Sequence, residues 1–96
     1  MYTEEQIKKV LKEINWDTTL STEDFYKIFT GKVEDIHGID KNHLYHKILN
    51  GYNWYTVMKI FPESELKNVL SDEVIKRLFP RPLREKYRYV RRVLFE

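Results

Sequence analysis

There is no cysteine in this chain, and that absence excludes disulfide scaffolds, thiolate nucleophiles and cysteine-ligated zinc together. Glycine is scarce, with three in 96 residues, so no glycine-rich loop is available to cradle a phosphate. No Gly-x-Ser-x-Gly elbow, internal repeat, low-complexity tract or domain linker occurs. No apolar run approaches the length of a membrane span, and the opening "MYTEEQIKK" lacks the basic-then-apolar order of a signal peptide. On these grounds the chain is read as a soluble cytoplasmic protein with no membrane partner. Strong charge of one sign is missing too, since the net charge is only +2.

Apolar residues make up 42% of the chain and aromatics 15%, enough to build a core. The length suits one core and not two. Residues 1–96 are therefore expected to form a single domain. Every strongly periodic stretch has the helical period, and none alternates as a half-buried strand does. The expected fold is all-α, six or seven short helices around one core.

The helix boundaries are written in the caps. Thr3 and Gln6 make a capping-box pattern ahead of Ile7, Val10, Leu11 and Ile14, and the first helix should end near Asn15. Ser21 or Thr22 opens a second, with Phe25, Ile28 and Phe29, which Gly31 closes. The stretch 31–39 has two glycines and no pattern, and it reads as the longest loop. Asp40 caps a third helix carrying Leu44, Tyr45, Ile48 and Leu49, with Gly51 set where a left-handed residue ends it. Asn53 caps a fourth, in which Trp54, Val57, Met58 and Phe61 share a face, and Pro62 ends it. Glu63–Leu70, Asp72–Phe79 and a basic helix over 82–95 complete the reading.

His43 and His46 lie three apart on one expected helix, and His37 comes from the loop. No carboxylate occurs between Lys41 and Ile60 to complete a ligand set. The two histidines are read as a solvated face, and no metal, cofactor-binding or catalytic site is assigned. The chain is expected not to be an enzyme.

Charge is uneven along the chain: residues 21–40 hold five acids against two bases, whereas 81–96 hold six bases against two acids. On the last helix Leu83, Tyr87, Val90 and Leu94 fall within an arc of about 60°, a core stripe. Beside it Arg84, Arg88, Arg91 and Arg92 span about 100°, with Phe95 among them. A row of planar guanidinium forks suits either an acidic protein surface or a nucleic-acid backbone. Tyr89 is the one aromatic off the stripe and near the arginines, so a base-stacking platform is thin. Tyr52 and Tyr55 lie off the stripe of the fourth helix and are candidates for contact with a partner. A helix-turn-helix over Glu63–Phe79 is a weak match, because the second helix opens with two acids.

In this layout the segments "NWDT" (Trp16, Asp17), "KILNGYNWYTVMKIF" and "ESELKNVLSDEVIKRLF" are similar to a family of small uncharacterised all-helical proteins. Those proteins are encoded beside nucleotidyltransferase-like toxin genes of the abortive-infection type. The resemblance covers roughly Trp16 to Phe79 and carries over no catalytic residue. It implies an antitoxin-like partner of a nucleotidyltransferase-type protein; the family tends to finish where "RPLREKYRYVRRVLFE" begins here. The residues and the resemblance together point to a helical protein-interaction module, with a nucleic-acid-binding regulator as the alternative. Arg84, Arg88, Arg91, Arg92, Tyr89 and Tyr55 are the expected contact residues.

Overall fold

Four side-chain caps set the frame. In the computed structural model, which describes residues 2–15 and 20–95, Thr3, Ser21, Asp40 and Asn53 each accept the backbone N–H three residues on. The distances are 3.3, 3.1, 3.0 and 2.9 Å. They open α1 (Glu4–Ile14), α2 (Thr22–Thr30), α3 (Lys41–Gly51) and α4 (Trp54–Ile60), satisfying N–H groups that a helix start leaves orphaned. Pro62 and Ser71 flank the short α5 (Glu63–Val69) and α6 (Asp72–Ile75) without a side-chain cap bond, and α7 (Arg81–Phe95) closes the chain. The fold is all-α, with seven helices among the described residues.

The stretch expected to be a patternless loop holds a two-residue hairpin, β1 (Asp35–Ile36) against β2 (Ile39–Asp40), antiparallel. His37 and Gly38 turn it with φ of 54° and 83°, the doubly left-handed geometry that matches the twist of paired strands. Its signal was present in "DIHGID", two short mirror-image runs about a residue-glycine turn. Asp40 then ends β2 and caps α3 at once.

Helix α3 is the central element. It buries Leu44, Tyr45, Ile48 and Leu49 together with Lys47, and packs against α1, α2, α4, α5 and α6. Lys47 reaches the Ile14 carbonyl at 3.3 Å, placing a cation at the negative C-terminal end of α1. The Tyr45 hydroxyl donates to the Glu65 carboxylate, joining α3 to α5. Burial is the main cause that pushes this phenol far up from its usual pKa, with the Glu65 contact adding to it. Between α1 and α2, Lys8 meets Glu4 at 3.2 Å and Glu23 at 2.9 Å. The radius of gyration, 12.8 Å, is close to the roughly 12.5 Å of a compact single domain this long.

Several expectations are corrected. Gly51 is the last residue of α3 and has no positive φ; the helix runs straight into extended Tyr52. Met58 is exposed and Ile60 is buried. The chain leaves α4 in extended geometry at Phe61, so Phe61 turns inward from outside the helix, and Val57 with Ile60 makes the buried line instead. The helix expected over Asp72–Phe79 stops at Ile75; Leu78 still reaches the core, while Phe79 stands 80% exposed. A four-residue α6 is too short to be a recognition helix. Trp16 and Asp17 lie outside the described residues.

Candidate interaction surface

Seen from the core, α7 is rolled relative to its expected stripe. Tyr87 is fully buried, with its ring 6.1 Å from that of Trp54, and Leu83 and Val90 pack partly against the core. Leu94, expected inside, is 46% exposed. Phe95, expected among the arginines, packs on the core instead, with Lys67 Nζ 5.9 Å from its ring centre. On the same side the Arg91 guanidinium binds Asp72 at the start of α6, 2.6 Å away. With Phe95 on the core and Arg84 and Arg91 half-buried, part of the arginine side of α7 faces the fold.

The arginine row accordingly divides. Arg91 is spent on Asp72, and Arg84 is half-buried. Arg88 faces Glu85 one turn back at 3.4 Å, an exposed pair that contributes little. Arg92 points to solvent with no acidic partner among the described residues. Four free cations in a line, the geometry a nucleic-acid backbone would use, are not what the fold presents.

The outward side of α7 carries apolar residues among its charges. Tyr89 is 64% and Val93 63% exposed. They stand one turn apart, so their side chains share one ridge. Counted at about 100° per residue, they lie about 160° and about 120° around the helix from Tyr87. Sequence reasoning named Tyr89 but passed over Val93; the signal was that the apolar residues of this helix fall on two sides. Lys86, Arg88 and Arg92 border the ridge, against one acid among the described residues, Glu85. Tyr55, on α4, is exposed as well, with Lys59 Nζ 4.3 Å from its ring centre. Tyr52 is half-buried, and its hydroxyl donates to Glu13, which makes it a strut between α3 and α1.

The two histidines are not the solvated pair expected. Their rings meet edge to face at 5.1 Å and both are half-buried. They line a groove of about 610 Å³ between the end of α1 and α3, with Glu13, Lys47 and Asn50. Burial, with the neighbouring His43, lowers the His46 pKa from its usual value. The groove's other polar groups serve the fold: Lys47 holds Ile14, Tyr52 holds Glu13, and the Asn50 Oδ1 accepts the Phe79 N–H at 3.3 Å. Among the described residues, no group of three His, Cys, Asp or Glu side chains is placed to hold a metal. No helix among them is long and apolar enough to cross a membrane.

Compared with protein-family models, with curated proteins and with solved structures, the chain shows no match.

Proposed function

We propose that this protein is a small helical interaction module that presents the outer face of α7 to another protein. One observation carries the reading. In a helix of 15 residues only Tyr87 is fully buried, while Tyr89, Val93 and Leu94 stand in solvent. Exposed apolar side chains bordered by charge are the composition of a binding surface. A partner of the nucleotidyltransferase type is the more specific form of the proposal. It is supported by the motif resemblance alone, whose "KILNGYNWYTVMKIF" spans the α3–α4 junction and the exposed Tyr55.

The nucleic-acid alternative draws on the same helix through Arg84 and Arg92. It is the weaker reading, because Arg91 is engaged by Asp72 at 2.6 Å and an aliphatic Val93 offers phosphate nothing. The test is affinity capture, from the native host and with the co-expressed product of a neighbouring gene, using the wild-type chain and the double variant Tyr89→Ser, Val93→Ser. Both positions are exposed, so the melting temperature should hold while the specific partner is lost. Recovery of the same partner by both chains would remove α7 from the interface. A mobility shift of duplex DNA at low salt that disappears in Arg84→Ala, Arg92→Ala would favour the alternative.

A further inference from the structure

Building on that protein-interaction reading, we infer the chemistry of the partner: an amphipathic helix whose apolar line is bordered by aspartate or glutamate, laid along the Tyr89–Val93 ridge of α7.

The shape of the surface selects a helix. Tyr89 and Val93 form a ridge of side chains four residues apart, and half-buried Val90 with exposed Leu94 forms the next row beside it. Ridges of this spacing seat in the grooves between the side-chain rows of a second helix. The charges around the ridge select acid. Lys86 and Arg92 flank Tyr89 one turn before and after it, and Arg88 lies beyond. Among the described residues the one acid on this side, Glu85, already faces Arg88 at 3.4 Å. Lysine and arginine stems extend the apolar contact while their heads remain available to carboxylates.

A second copy of this chain is a poorer occupant. A two-fold axis through Tyr89 would set Lys86 of each copy against Arg92 of the other, and like charges facing across an interface oppose association. Nucleic acid would satisfy the cations but leave Val93 and Leu94 uncovered.

The test is a titration of the isotopically labelled 96-residue chain, followed by amide NMR, with two synthetic helical peptides. Both carry the same line of leucines, bordered by glutamate in one and by glutamine in the other. The glutamate peptide should shift the amides of Lys86, Tyr89, Arg92 and Val93 and bind about tenfold tighter than the glutamine peptide at low salt. That advantage should vanish as NaCl rises from about 50 to about 500 mM, and K86E/R92E should reverse the preference. Equal binding of the two peptides would sink the acidic assignment and leave the interaction reading standing. So would silence from both peptides while Tyr89→Ser, Val93→Ser still abolishes capture of a partner. If neither peptide binds and capture is indifferent to those residues, both conclusions fall. A dimer in sedimentation equilibrium that Val93→Lys dissolves would put a second copy on the ridge instead, and shifts of the same amides by duplex DNA alone would assign it to nucleic acid.

Discussion

Tyr87 carries the attachment of the last helix and, at its far end, an unresolved demand. The ring is fully buried against Trp54, yet the hydroxyl is buried with no hydrogen-bond partner, and burial pushes its pKa up. A buried hydroxyl without a partner forfeits its hydration for nothing, at about 1–3 kcal/mol. Tyr87→Phe is therefore expected to leave stability unchanged or raise it by up to about 2 kcal/mol, read as the urea midpoint at constant slope. A loss of more than about 1 kcal/mol would mean that the phenol holds a bond the fold needs. Sequence periodicity identified Tyr87 as structural, since it falls within the stripe. Nothing in the sequence marks its oxygen as unpartnered, because that depends on which atoms six other helices bring near it.

At the scale of the element, the two glycines expected to end helices behave differently. Gly31 closes α2 at φ 82°, where a Cβ costs about 1 kcal/mol. An added Cβ there would meet the end of the Lys41 side chain, Nζ at 3.6 Å and Cε at 3.8 Å, ordinary contacts, so the cost is in the backbone. Gly51 has helical geometry and open space around it. Gly31→Ala should lower stability by about 1 kcal/mol, whereas Gly51→Ala should be neutral or stabilising by up to about 1 kcal/mol. Thermal unfolding of the two variants side by side checks both signs. Helix starts were legible because a cap is local: Thr3, Ser21, Asp40 and Asn53 bond a backbone group three residues away. The ends of α1 and α2, near Asn15 and at Gly31, were legible as well; those of α3 and α6 and the roll of α7 were not. Whether Met58 or Ile60 turns inward depends on where the chain leaves α4, and whether Leu94 or Phe95 meets the core depends on where α5 and α6 lie against α7.

Across the whole molecule, protonation of the tyrosines is tied to folding. Burial is the largest cause raising the pKa of Tyr26, Tyr45, Tyr52 and Tyr87, and carboxylate partners add to it for the first three. A phenol whose pKa is higher folded than unfolded contributes stability in full below the unfolded value, and that contribution is lost as pH rises above about 10. The melting temperature should therefore fall from about pH 10 upward, in step with tyrosinate absorbance; a flat profile across that range would contradict the burial of these hydroxyls. The all-α class, the single core and most helix starts follow from the sequence alone, since periodicity and caps act within one or two turns. The sequence also supplied the basic character of α7. Tertiary structure decided the rest. Packing against α6 and α5 turned Arg91 and Phe95 toward the core, divided the four arginines, and left Leu94 in solvent with Tyr89 and Val93, because a helix with apolar residues on two sides can bury only the side its neighbours reach.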